Sequence, residues 1–258
     1  YDPSVERILD SRFITTITYM SDVDLRKAGE EGNWDKEAIE LAIERLNYSI
    51  QKTLARLCTN DYKAFISGSD NFRYNVNPKY KQNRRYTKDP QHREGLKLFA
   101  VENLSAKVCH GMEADDALGI TQMETFVDHL EVPGETCICT IDKDLNMIPG
   151  LHYNFVTDDI FYVSLAEANA FFYNQLLIGD RADNIQGIDG VGPVKARNLL
   201  YPCNTDDEKF AVIRERYYDD ARLLMNARCL WIAREKEDEW VNTKHGKMLI
   251  EDLGLKIE

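Results

Sequence analysis

Between residues 35 and 141, short β-like runs alternate with helical periodicities, and this alternation narrows the possible folds more than any other feature of the chain. Asp35 to Leu57 carries apolar residues at 39, 43, 46, 50, 54 and 57, in steps of four and three that mark an amphipathic helix. Tyr62-Lys-Ala-Phe-Ile-Ser67 then reads as a strand ending at Gly68, and Ala106 to His110 as another ending before Gly111. Thr136-Cys-Ile-Cys-Thr-Ile141 is the clearest strand. Helical patterns fill the gaps at about 91–104 and 113–130. The expected class is therefore α/β, with a central, mainly parallel sheet flanked by helices. His152 to Val156 and Ile160 to Ser164 flank Thr157-Asp-Asp159 as a β-hairpin. From about Ala166 the pattern is helical to the end, with Trp231 and Trp240 helping to close the core.

A chain of 258 residues, 43% of them hydrophobic, can bury a full core, as one large domain or as a domain with an appendage. No run of about eighteen apolar residues occurs, and no basic segment followed by an apolar one opens the sequence. Neither a membrane span nor a signal peptide is expected, and the cytoplasm is the expected compartment. The six cysteines, at 58, 109, 137, 139, 203 and 229, include no Cys-x-x-Cys and read as buried thiols. His92, His129, His152 and His245 show no partner spacing, and His110 reads as a packing residue at a strand end. Nothing in the sequence indicates covalent catalysis.

A net charge of −12 conflicts with phosphate binding until its distribution is considered. Lys79, Lys81, Arg84, Arg85, Lys88, Arg93 and Lys97 face only Asp89 and Glu94 within 79–97, a local excess of five positive charges. Tyr80 and Tyr86 are interleaved with them and offer ring faces to an unpaired base. Acids gathered at a metal site would also be neutralised by the bound cations, so the formal charge overstates the repulsion.

Those acids form three clusters: Glu113-Ala-Asp-Asp116, Asp142-Lys-Asp144, and Asp180 with Asp183. The first two follow strands, where ligand sites of open parallel sheets form. Asp142 and Asp144, two apart in extended chain, would point the same way. Asp180 and Asp183, three apart, would share one face of a helical turn, or serve as helix N-caps. All these ligands are carboxylates, a set that suits Mg²⁺, or Mn²⁺, and argues against zinc. Just beyond, Gly190-Val-Gly192 leaves backbone N–H groups open to a phosphate, and Lys195 adds charge on the first turn of the next helix; a plain helix connection is the alternative.

In this order, Tyr80-Lys-Gln-Asn-Arg84, Gly111-Met-Glu-Ala-Asp-Asp-Ala117, Thr140-Ile-Asp-Lys-Asp-Leu145 and Gly179-Asp-Arg-Ala-Asp-Asn-Ile185 with Gly190-Val-Gly192 resemble the motifs of the 5′-nuclease (flap endonuclease) superfamily, most of all the phage 5′–3′ exonucleases. The resemblance spans most of the chain. It implies a PIN-like nuclease core over 1–175, with a basic helical gateway around 73–97. It also implies a helix-three-turn-helix DNA-binding element with C-terminal helices over 176–258, packed as one unit with the core. Glu113, Asp115 and Asp116 would hold one divalent cation, and Asp142, Asp144, Asp180 and Asp183 would hold or orient a second. Lys81 and Arg84 would contact the scissile phosphate. Tyr80 would stack on a terminal base, or simply pack. Arg85, Gly190, Gly192 and Lys195 would contact DNA, and K⁺ could sit on the carbonyls of the Gly190–Gly192 turn.

Two departures stand out. The family opens with a strand ending in Asp-Gly-Asp or Asp-Gly-Asn, whereas the nearest match here, Ile8 to Phe13, keeps one acid only, Asp10, as a ligand. The chain starts at Tyr1, so either the first motif is altered or the N-terminus is trimmed. A further family acid belongs just before Phe72-Arg73, where this chain offers Gly68 and Asp70 in an open register. The resemblance implies a divalent-metal-dependent 5′–3′ exonuclease or flap endonuclease that hydrolyses DNA phosphodiesters near a 5′ end, flap or single-strand/duplex junction by a two-metal mechanism, as a monomer, in the host cytoplasm if phage-encoded. RNA–DNA hybrids with primer removal, or binding of branched DNA without cutting, are the alternatives.

Overall fold

The computed structural model of the chain describes residues 16–19, 39–86, 92–129 and 134–255. The chain divides into two compact units, one made of 1–71 and 88–165, the other of 72–87 and 166–258.

In the first unit, strands β1 (Thr16–Tyr19), β2 (Tyr62–Ser67), β3 (Lys107–Cys109), β4 (Thr136–Cys139), β5 (Gly150–Asn154) and β6 (Asp159–Val163) form one sheet in the order β3-β2-β1-β4-β5-β6. All neighbours pair in parallel except β5 and β6, the expected hairpin. Helices α1 (Ile39–Arg56), α2 (Arg93–Asn103) and α3 (Ala114–Met123) fill the crossovers. Ala42, Leu46, Ile50 and Leu54 recur every fourth residue, so α1 buries one stripe against Ala64 and Ile66 of β2 and Leu96 and Ala100 of α2. β4 is buried along its whole length, which a Thr-Cys-Ile-Cys run tolerates and a charged strand would not.

The sheet also buries a histidine. His152 on β5 is 2% exposed, donates from Nε2 to Ile148 O at 2.8 Å and stacks on Phe161. Burial pushes its pKa down to about 4 from 6.5. Between these values the unfolded chain binds the proton and the folded one does not, so this contribution is present above pH 6.5 and is lost as pH falls toward 4. From pH 7 to pH 4.5 it should cost about 2 kcal/mol of stability. Urea melts at both pH values should show a smaller acid loss for His152→Gln; equal losses would rule the assignment out.

The second unit opens with a single helical turn at Arg73–Val76 and a 3₁₀ turn at Gln82–Tyr86. It continues with α4 (Leu165–Ile178), a two-stranded hairpin of β7 (Gly179–Asp180) and β8 (Ile185–Gln186), then α5 (Pro193–Leu200), α6 (Asp206–Tyr217), α7 (Asp220–Leu230) and α8 (Lys244–Asp252). Phe172 lies against Trp231 and Trp240, with ring centroids 5.0 and 6.2 Å away, and Phe210 lies 6.0 Å from Trp240. Buried Arg73 donates to the carbonyls of Cys229 (2.9 Å) and Trp231 (2.6 Å), so its charge meets backbone dipoles that would otherwise be buried.

Several expectations are corrected. The helix expected over 113–130 stops at Met123, and Asp128 instead accepts bonds from Tyr162 OH and Leu165 N. The stretch read as helical from Ala166 onward is interrupted by the β7–β8 hairpin. Gly179 has φ +74°, and a Cβ there would lie 2.2 Å from Gly187 N, so the hairpin closes only with glycine. Cys58 is exposed and Cys203 partly so; the other four cysteines are buried. None of the described helices is long and apolar enough to cross a membrane.

Candidate functional site

In the first unit the acids gather along the carboxyl edge of the parallel strands. Glu113 is the N-cap of α3; its N–H donates to Asp116 Oδ2 at 3.0 Å, and the two residues form a capping box. Ala114 N donates to Ser67 Oγ at 2.9 Å, which ties the start of α3 to the end of β2. Asp115 and Asp116 lie in the first turn, where the helix dipole favours negative charge. Asp142 and Asp144 do not follow β4 in extended chain as the sequence suggested. Asp142 caps a 3₁₀ turn, Lys143–Met147, and its Oδ1 accepts from Asp144 N at 2.9 Å. A short polar side chain at a strand end competes with the ladder and starts a turn.

Gly68 and Asp70 take different places at the end of β2. A Cβ at Gly68 would lie 2.5 Å from Cys109 O, so glycine permits the close approach of β2 to β3, and Asp70 is the acid beyond that strand. Asp70 Oδ2 accepts from Gly111 N at 2.7 Å, and Oδ1 lies 3.3 Å from His110 Nδ1. The Gly111 N–H holds this carboxyl below its ordinary pKa. His110 is exposed and does not pack the strand end. Asp10 lies outside the described residues, and the first described strand, Thr16–Tyr19, comes after it. In sequence the first acids beyond that strand are Asp22 and Asp24, also outside the described residues. Among the described residues, no three His, Cys, Asp or Glu side chains converge closely enough to hold a metal ion as they stand.

In the second unit, Asp180 and Asp183 sit on a hairpin, not on one helical face. Asp180 Oδ1 accepts from Ala182 N at 2.7 Å, a local bond typical of aspartate in tight turns. Asp183 gathers the segment expected to meet phosphate. Tyr80 OH donates to its Oδ2 at 2.6 Å, Arg84 Nη2 to its Oδ1 at 2.6 Å, and Lys81 Nζ lies 3.6 Å from Oδ2. Tyr80 is 3% exposed, with its ring buried edge-to-face against Tyr74. Arg85 and Tyr86 belong to the 3₁₀ turn, but their side chains lie outside the described residues, as does Lys88. Gly190 has φ +70°, Gly192 is the N-cap of α5, and a Cβ at either would meet nothing within 4 Å. The turn is thus open on the outside. Lys195 is exposed, and its Nζ donates to Gly190 O at 3.4 Å, so K⁺ on that carbonyl would compete with the lysine.

No family model matches the chain. Solved structures do. The chain is similar to the bacteriophage T5 D15 protein co-crystallised with metal ions, with 15% identity over 92% of this chain and 91% of that one and a TM-score of 0.58. It is likewise similar to the T5 D15 flap endonuclease in a pseudo-enzyme–product complex with DNA and metal ions (14% identity, 92% and 91% covered, TM-score 0.56). A third match is the T5 5′-exonuclease with bound zinc (17% identity, 92% and 98% covered, TM-score 0.54). The fold is the 5′-nuclease fold. In this 5′-nuclease fold the acids after β2, β3 and β4 occupy the carboxyl edge of a parallel sheet, the edge at which such sheets bind ligands.

Proposed function

We propose that the chain is a divalent-metal-dependent 5′-nuclease that hydrolyses DNA phosphodiesters near 5′ ends and single-strand/duplex junctions. The observation that carries this reading is the carboxylate row on the sheet edge of a fold shared with a flap endonuclease crystallised with DNA and metal ions. Glu113, Asp115, Asp116, Asp142 and Asp144 are the first unit's candidates to hold a cation, and Asp180 and Asp183 are the second unit's candidate ligands. The donor set fits a hard cation such as Mg²⁺ or Mn²⁺, because every member is a carboxylate. Two such cations, when bound, supply an activated water and stabilise the leaving oxygen. Lys81 and Arg84 offset charge on the transferring phosphate. The Gly190–Gly192 turn and Lys195 grip the DNA backbone as part of a helix-three-turn-helix element, through N–H groups and charge rather than base edges.

The deciding experiment is cleavage of a 5′-labelled flap and a matched blunt duplex, with Mg²⁺ and with chelator. Flap-dependent cutting lost on chelation is expected; tight binding without cutting under any divalent ion would overturn the reading. For Lys195→Ala, binding should weaken by about threefold to tenfold, and the slope of log affinity against log salt should fall by about one, as for the loss of one phosphate contact. Fluorescence anisotropy over a salt series measures both, and an unchanged slope would remove Lys195 from the interface.

A further inference from the structure

We propose that Asp183 is an internal counter-anion standing where a DNA phosphate would stand, holding Lys81 and Arg84 in position, and that Tyr80 is the positioning residue that holds Asp183. This deepens the nuclease reading and rests on it for the identity of the incoming anion, but every contact it uses lies within the second unit. Three donors converge on one carboxylate whose side chain is 17% exposed. To a guanidinium and an ammonium, a carboxylate and a phosphodiester present the same feature: two oxygens sharing one negative charge.

The segment around these donors is fastened to the hairpin loop by backbone and amide bonds, independently of the ion pairs. Lys81 N donates to Asp183 O at 2.9 Å, Asn83 Nδ2 to Arg181 O at 2.7 Å, and Asn184 Nδ2 to Lys79 O at 2.7 Å. Lys81 and Asn184 both have left-handed backbone, with φ of 53° and 59°. For lysine that conformation is unfavourable and persists only where the surroundings impose it. The clasp therefore sets the position of the two cations, while the carboxylate sets where their charge points. A phosphate gripped by the same two cations must displace Asp183 from them.

The test is DNA binding in chelator, where no cutting occurs, read by fluorescence anisotropy across a salt series. Asp183→Asn keeps the shape and an acceptor for Tyr80 but removes the charge. It should bind DNA about fivefold to tenfold more tightly than wild type, with the log–log salt slope steeper by one to two, as one or two additional phosphates are neutralised. The gain should vanish when Arg84→Gln is added. Tyr80→Phe, which retains the ring and the core packing, should move affinity in the same direction by about twofold to threefold. It carries the test if Asp183→Asn fails to fold by circular dichroism. Affinity that is unchanged or weaker with an unchanged slope in both variants would overturn the proposal and leave the cluster a structural staple. A chain that cuts no substrate would sink the nuclease reading while leaving this exchange measurable.

Discussion

Replacing Asp142 with asparagine is expected to lower Mg²⁺-dependent cleavage of a flap substrate on the order of 10³-fold while leaving the fold intact. The choice of asparagine follows from the geometry. Asp142 Oδ1 accepts from Asp144 N at 2.9 Å at the head of the 3₁₀ turn, and an asparagine oxygen accepts the same bond. What is lost is the charge, together with the affinity of a hard oxygen ligand for a divalent cation. Alanine would confound the result by removing the cap as well, at about 1 kcal/mol. Single-turnover cleavage over a Mg²⁺ series, paired with a thermal melt, separates the two effects. Cleavage at the wild-type rate with an unchanged Mg²⁺ midpoint would remove Asp142 from the metal site.

Trp240→Ala should destabilise the second unit by about 4 kcal/mol, and its melting temperature should fall by roughly 15 to 20 °C. Trp240 is 2% exposed between Phe172 and Phe210, and the helix that follows packs directly on its backbone: a Cβ at Gly246 would lie 2.2 Å from Trp240 O. Truncation leaves a void that backbone packed this closely cannot close. Tyr201→Ala serves as the control, since Tyr201 is 86% exposed at the end of α5 and should change stability by no more than about 0.5 kcal/mol. Urea melts followed by far-ultraviolet circular dichroism give both numbers. A Trp240→Ala loss below about 1 kcal/mol would mean that the aromatic cluster does not hold this unit together.

The sheet was legible because buried parallel strands leave continuous apolar runs, and the strand read at Tyr62–Ser67 has those bounds in the structure. The acids beyond β3 and β4 were legible for the same reason, since they follow those runs directly. The local conformation of the acids was harder to read. A spacing of three suits one face of a helix, and Asp180 and Asp183 have that spacing, yet they lie on a hairpin. The signal that could have told the two apart is the glycine pair Gly179 and Gly187, which allows two backbones to touch. The capping role of Asp142 had its own signal, a short acid directly after a strand and before a turn.

Residue types and their order along the chain were enough to establish an α/β class, a parallel sheet, a carboxylate set suited to a hard cation, and a basic segment despite a net charge of −12. All of these depend on local pattern, in which neighbours along the chain are neighbours in the element. The membership of residues 72–87 in the same unit as 166–258, and the meeting of Tyr80 and Arg84 with Asp183 across about a hundred residues, depend on tertiary structure. An ion pair between distant segments forms only after packing has closed the intervening chain, and the entropy of that closure leaves no periodicity in the sequence from which to foresee it.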